Sequence, residues 1–235
     1  MLPSSTVENY LKAIYQAQTS QASPRDLVPM GQIAAAVDVV PGTATTMIKA
    51  LAEASLVDYE PYAGVRLTAA GERLAALVLR RHRLVELFLV QIMGMSWAEV
   101  HDEAEALEHA VSDRLIERMD EMLGRPDVDP HGDPIPRQDG TVEREHRPPS
   151  LLTCPLDVPV VISRVLDQDA DFLRFLEESD LKPGQQIAVA MRDSASDSVT
   201  VRRVDRTPVI LGARAASKVL VEPLPPTGRP GPSPG

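Results

Sequence analysis

The segment Val100 to Val111 carries four groups with metal-ligating chemistry, His101, Glu105, Glu108 and His109. On a helix turning about 100° per residue they fall near relative angles of roughly 0°, 40°, 340° and 80°, so all four share one arc. Trp97, Val100, Ala104, Leu107 and Val111 occupy the adjoining arc, which makes the charged arc flank a buried face. Upstream, His82 and Glu86 repeat the theme at i, i+4. Imidazole and carboxylate donors without thiolate suit Mn²⁺ or Fe²⁺, with other divalent transition ions able to substitute. An acidic helix face by itself is commonly just solvated. The histidines at helical spacing from carboxylates are what point to a cation. A di-iron carboxylate enzyme needs Glu-x-x-His on two helices, and here there is one Glu105-x-x-Glu108-His109. There is no Gly-x-Ser-x-Gly, no phosphate-binding glycine loop and no Cys/His nucleophile pair, so an enzyme is not expected.

The elements around these residues form a recognisable order. Val7, Tyr10, Leu11, Ile14 and Tyr15 define an amphipathic first helix behind Ser4 and Ser5, which read as a hydroxyl cap. A short alanine-rich helix near residues 28–38 breaks at Val39-Val40-Pro41-Gly42, and a second helix restarts at Pro41, whose missing N–H costs nothing in a first turn. Two short helices on a tight turn outline a helix-turn-helix. Leu56 to Leu67 alternates around Pro61-Tyr62-Ala63-Gly64 and reads as a hairpin, which makes the unit winged. Thr68 caps a long helix to about Met93; Ser96 opens another to about Val111; Ser112-Asp113 caps a third to Leu123. A Pro/Gly/Asp-rich linker precedes a β-rich unit with strands near 158–162, 186–190, 199–204 and 218–222 and one helix at 169–178.

The expected fold is mainly α and multidomain, with an N-terminal winged helix-turn-helix, a helical dimerisation and metal-binding domain, and a C-terminal SH3-like small β-barrel. The expected boundaries are 1–75, 76–140, a linker at 141–156, 157–223, and a disordered tail at 224–235. On the second helix of the helix-turn-helix, Pro41, Gly42, Thr43, Thr45, Thr46 and Lys49 take the position of a base- and phosphate-contacting face, and Arg66 on the wing suits a phosphate. Charge adds little support. The net charge is −10, which argues against non-specific coating of nucleic acid. The single cysteine, Cys154, excludes an internal disulfide, and no apolar run approaches the ~20 residues of a membrane span. A cytoplasmic protein without a leader is expected.

The chain resembles the diphtheria-toxin-repressor family of metal-dependent regulators, especially its manganese-responsive branch. The resemblance rests on Glu8 to Tyr15, Arg81 to Glu86, Val100 to Asp113 and Pro130 to Pro136. It implies a homodimer on a double-stranded DNA operator, with repression of metal-uptake genes when Mn²⁺ is bound. It also implies two metal positions. For the primary one, Glu105, Glu108 and His109 match family ligands, with Asn9 where manganese-responsive members carry Asp and Glu8 as a neighbouring substitute. Glu105 stands where iron-responsive members have a cysteine. Lys12 occupies a position that is acidic in members with a paired-metal site. For the second, His82, Glu86 and His101 match, with Asp129 and His131 from the linker and Asp171 from the barrel; Asp167 and Gln168 are weaker choices. The alternatives are an iron-responsive regulator of the same family, or a metal-binding enzyme or buffer without DNA binding.

Overall fold

A computed structural model describes residues 4–21, 26–142, 148–203 and 206–224. The expected tail from 225 onward lies outside them. The chain divides into two compact units, one of Met1–Phe88, Asp102–Asp127 and Pro134–Glu143, the other of Leu89–His101, Val128–Asp133 and Arg144–Gly235. Among the described residues, no helix is long and apolar enough to cross a membrane.

The first unit begins with α1 (Ser5–Ser20), whose Leu11, Ile14 and Ala17 enter a core shared with Ile33, Ile48, Leu51, Val57 and Val65. Ser4 sits at the cap position in extended conformation, but its hydroxyl makes no capping bond; its backbone carbonyl accepts from Glu8 instead. The expected hydroxyl cap is therefore absent. Helices α2 (Met30–Ala36) and α3 (Pro41–Glu53) form the helix-turn-helix, with Asp38 in the left-handed region at the turn and Pro41 in the first turn of α3. Strands β1 (Val57–Glu60) and β2 (Gly64–Leu67) pair antiparallel as the wing. The buried Gln18 side chain on α1 accepts from the Leu67 amide at 2.9 Å, which ties the first helix to the wing.

Helix α4 (Ala69–Gln91) starts behind Thr68, whose hydroxyl accepts from Gly71 N at 3.2 Å as expected. A Cβ on Gly71 would lie 2.0 Å from the Leu56 carbonyl oxygen. Alanine normally improves a helix interior. Here we expect Gly71→Ala to destabilise by about 1–3 kcal/mol, because the backbone of the β1 entry cannot give way; a raised urea midpoint would contradict this. Helix α5 (Val100–Glu108) starts later than Ser96. Trp97 is buried in the core of the second unit, and its carbonyl accepts from His131 Nε2 at 3.0 Å, so Trp97–Glu99 forms a turn. The C-terminal end of α5 is held by Arg81, whose guanidinium donates to the carbonyl of Glu108, the last residue of the helix, and to that of Val111 just beyond it. Helix α6 (Asp113–Met122) follows, capped by Ser112 as expected.

The second unit carries a five-stranded antiparallel sheet in the order β6-β5-β4-β3-β7. Its strands are β3 (Val160–Val165), β4 (Gln186–Asp193), β5 (Ser198–Arg203), β6 (Val209–Gly212) and β7 (Val219–Pro223), joined by α7 (Ala170–Glu178) and the short α8 (Ala213–Ala216). Ile162, Leu173, Leu176, Val189, Val199, Val201 and Val219 fill its core. Register shifts in β3 and β4 bend the sheet, as a small SH3-like barrel requires. Sequence reading missed β6 and α8. The Asp169 side chain caps α7 by accepting from Phe172 N.

Candidate metal centre and DNA-reading face

Within the first unit, α1, α4 and α5 bring their polar side chains to one buried cluster. Glu86 and Glu108 are fully buried and Glu8, Lys12 and His82 are nearly so. His82, Glu105 and Glu108 offer ligand atoms that lie within 4.8 Å of one another. His82 Nδ1 is 2.6 Å from Glu108 Oε2, and its Nε2 is 3.0 Å from Glu86 Oε1. On the α1 side, His109 Nδ1 is 2.6 Å from Glu8 Oε2 and its Nε2 is 2.8 Å from Asn9 Oδ1. The expected primary residues are thus gathered by two helices distant in sequence. Both Glu8 and Asn9 reach His109.

Sequence reading gave Lys12 no place among the candidate ligands. Its Nζ donates to Glu105 Oε1 at 2.5 Å and to Glu108 Oε1 at 2.7 Å, and its side chain is 7 % exposed. The i, i+4 step from Glu8 to Lys12 was the available signal, since it puts both on one face of α1.

Electrostatics follow from this packing. Burial alone would push the His82 imidazole down, but hydrogen bonds to Glu108 and Glu86 and the Glu86 charge together outweigh burial and the Lys12 repulsion, lifting it to about 9. Burial would push Glu108 up, yet the His82 bond and the Lys12 charge hold it below the usual carboxylate range. Because the His82 pKa is higher folded than its ordinary 6.5, its contribution to metal-free stability is full below about pH 6.5 and is lost as pH rises through about 9. Urea unfolding of the metal-free protein should therefore show a wild-type advantage over His82→Gln at pH 6 that shrinks by pH 9.5. An advantage growing with pH would contradict that assignment.

The expected second set is spread over both units. His82 and Glu86 stand on α4 in the first; His101, half-buried in the first turn of α5, belongs to the second, as do Asp129 and His131. There the His131 amide donates to Asp129 Oδ1 at 2.8 Å, and the His131 ring stacks on Trp97 with centroids 5.5 Å apart. Gly132 lets this loop approach β3: its φ is +85°, and a Cβ would lie 2.0 Å from the Ser163 carbonyl oxygen. Asp171 lies on the exposed side of α7, 2.5 Å from Arg174 Nη2. Among the described residues it joins no converging group of His, Cys, Asp or Glu side chains. Asp167 pairs with Lys218, and Gln168 with Asp133.

On α3, Pro41, Gly42, Thr43, Thr46 and Lys49 are exposed and Thr45 is half-buried, while Ala44, Ile48 and Leu51 face the core. The hydroxyls of Thr45 and Thr46 donate back to the Pro41 and Gly42 carbonyls one turn earlier on α3. Arg66 on β2 pairs with Asp58 at 3.0 Å across the wing.

Comparison with known proteins covers the same ground. Residues 3–65 match the family described as iron dependent repressor, N-terminal DNA binding domain; residues 68–137 match its metal binding and dimerisation domain. Residues 150–223 match the FeoA domain. The chain is 30% identical to the iron-dependent repressor IdeR of Mycobacterium tuberculosis over 198 residues, covering 78% of this chain and 83% of that one. It is 32% identical to the HTH-type transcriptional regulator MntR of Oceanobacillus iheyensis over 122 residues, covering 52% and 80%. Among solved structures, a manganese-dependent transcriptional repressor in complex with manganese superposes with a TM-score of 0.82 at 40% identity, covering 93% of this chain and all of that one. The apo form of the manganese-activated repressor ScaR gives 0.74 at 32% identity, covering 92% and 99%.

Proposed function

The chain belongs to the diphtheria-toxin-repressor family of metal-dependent DNA-binding repressors, and from that premise we propose that it is a manganese-responsive regulator whose metal controls how its reading head is held. The observation that carries this reading is the buried cluster joining α1, which packs on the helix-turn-helix, to α5. Glu8, Asn9, Glu105, Glu108 and His109 would hold the primary ion; His82, Glu86, His101, Asp129, His131 and Asp171 are the residues proposed for a second. The donors fit a borderline divalent cation: all are oxygen or imidazole nitrogen, thiolate is missing, and the cluster is already built around a positive charge. The ion would supply two positive charges among carboxylates that otherwise repel.

The chain's own residues do the rest. Glu105 and Glu108 present negative charge from α5, and Glu8 with Asn9 presents oxygens from α1. Drawing both sets onto one centre fixes α1, and with it α2 and α3, against the helical body. Residues 76–140 are proposed as that dimerisation and metal-binding body, residues 1–75 as the reading head and residues 157–223 as the barrel. In a homodimer this sets the separation of two α3 helices, which must match half-sites about one helical turn apart. Leu115 and Met122, apolar and exposed on α6, support pairing through the helical segment. The output proposed is repression, in the cytoplasm, of genes for metal uptake when manganese is abundant.

Pro41, Gly42, Thr43, Thr45, Thr46 and Lys49 on α3 are proposed to meet the duplex, with Arg66 on a phosphate. Lys49→Ala should lower the slope of log affinity against log salt by about 0.9, as loss of one phosphate contact does. An unchanged slope in anisotropy titrations from about 50 to 200 mM salt would remove Lys49 from the interface. The function itself is tested by titrating Mn²⁺ into the protein with a duplex selected from a random pool in its presence, and repeating with Fe²⁺ under anaerobic conditions.

A further inference from the structure

Glu108 has no uncommitted oxygen: Oε1 accepts from Lys12 at 2.7 Å and Oε2 lies 2.6 Å from His82 Nδ1. Lys12 also holds Glu105 Oε1 at 2.5 Å. The ammonium and a divalent ion cannot both take the Glu108 Oε1 lone pairs in this geometry. Lys12 lies one turn beyond Glu8 on α1, so the helix face that delivers ligands delivers a competing positive charge. Glu105 is 35 % exposed, against 7 % for the Lys12 side chain and none for Glu108. An incoming ion therefore meets Glu105 first, from solvent, while the ammonium still guards Glu108.

We propose that Lys12 is a tethered counter-cation that holds the Glu105–Glu108 pair together in the metal-free protein, so that a divalent ion loads by exchange against its ammonium. This deepens the proposed function and rests on it. The lysine sets the affinity threshold: it stabilises the metal-free cluster, and every binding event must break its two charge-assisted bonds. Its unbranched four-carbon stem allows the head to leave for solvent without moving α1, a motion that a shorter cation could not make.

Two measurements test the exchange. Calorimetric titration of MnCl₂ into the metal-free protein should show Lys12→Met binding about tenfold or more tightly than wild type, the size expected for removing one unit charge beside a divalent ion at short range. Without metal the same variant should melt below wild type, and its gain on adding Mn²⁺ should be larger. Equal or weaker Mn²⁺ affinity in a variant with native circular dichroism would overturn the proposal, because a purely structural ion pair predicts that result. The second measurement uses wild type alone, so it stands even if the variant fails to fold. A brief acetylation pulse read by mass spectrometry should find Lys12 protected without metal and several-fold more reactive at saturating Mn²⁺, with exposed Lys49 as internal reference. Protection of Lys12 in the Mn²⁺-saturated protein would overturn it. Wild type that binds no Mn²⁺ would overturn the regulator reading together with the exchange, whereas normal loading with protected Lys12 would overturn the exchange alone.

Discussion

Replacing Glu105 and Glu108 together by glutamine removes the metal response: DNA affinity becomes the same with and without Mn²⁺, where wild type gains about 100-fold, near the top of the usual range for coupled sites. The two carboxylates supply the negative charge that α5 brings to the cluster, while the other carboxylates there, Glu8 and Glu86, are engaged with His109 and His82. His82 and Glu86 face them from α4, and His109 is already shared between Glu8 and Asn9. The pair variant carries a second consequence, since it strands the buried Lys12 ammonium. An unpaired buried charge costs several kcal/mol, so loss of folding could imitate loss of metal response. Adding Lys12→Met removes that charge. The triple variant is expected to fold and to bind DNA at the metal-independent level. Electron paramagnetic resonance should find no protein-bound Mn²⁺ at the primary position. A metal-dependent gain that survives in the triple variant would place the controlling ion elsewhere.

Asp120→Ala should be the most destabilising single change in the helical segment, by about 3 kcal/mol. Arg80 is 7% exposed and Asp120 5%, and they pair at 2.7 Å between α4 and α6. The same guanidinium donates to the Pro136 carbonyl at 3.0 Å, which pins residues 134–137 to α4. Deleting the carboxylate leaves the guanidinium buried with that carbonyl and with Glu117 at 3.8 Å, too long for a full replacement bond. Joint replacement by Arg80→Met and Asp120→Leu should recover much of the loss, because it removes both charges from the interior. Urea unfolding checks both statements. A loss below about 1 kcal/mol for Asp120→Ala would mean that the pair is effectively solvated, as surface pairs are.

How far residues alone revealed this molecule depended on whether the deciding interaction was local. The shared face of Glu105 and Glu108 was legible because helical periodicity is local, and so were the Thr68 and Ser112 caps, whereas His109 lies just past the last residue of α5. The start of α5 was not, because Trp97 is drawn into the barrel core and its carbonyl is claimed by His131, a residue 34 positions away. Strand β6 escaped for a different reason. Val209, Ile210 and Leu211 are too few to show alternation, and they are strand only through pairing with β5. The Ser4 side chain had the right chemistry for a cap, but its hydroxyl makes no capping bond and only its backbone carbonyl accepts from Glu8.

The site shows the same division. Type and spacing nominated His82, Glu86, His101, Glu105, Glu108 and His109, and the family resemblance added Glu8, Asn9, Asp129, His131 and Asp171 and sorted the candidates into two sets. That Glu8 and Asn9 both reach His109 required knowing which face of α1 meets α5. Lys12 is the clearest case. As a residue type it argues against a cation site, and only its 2.5 and 2.7 Å contacts show it serving as the cluster's own cation. Asp171 was implied by the family resemblance alone, and it pairs with Arg174 on an exposed helix face.

In the proposed function, metal at the α1–α5 cluster controls DNA binding. That control is tested most directly by fluorescence anisotropy of chelator-stripped wild-type protein on its selected duplex, measured before and after saturation with Mn²⁺ at fixed ionic strength. Affinity should rise about 100-fold on adding metal and fall back on chelation. Equal affinity in the two states would contradict it.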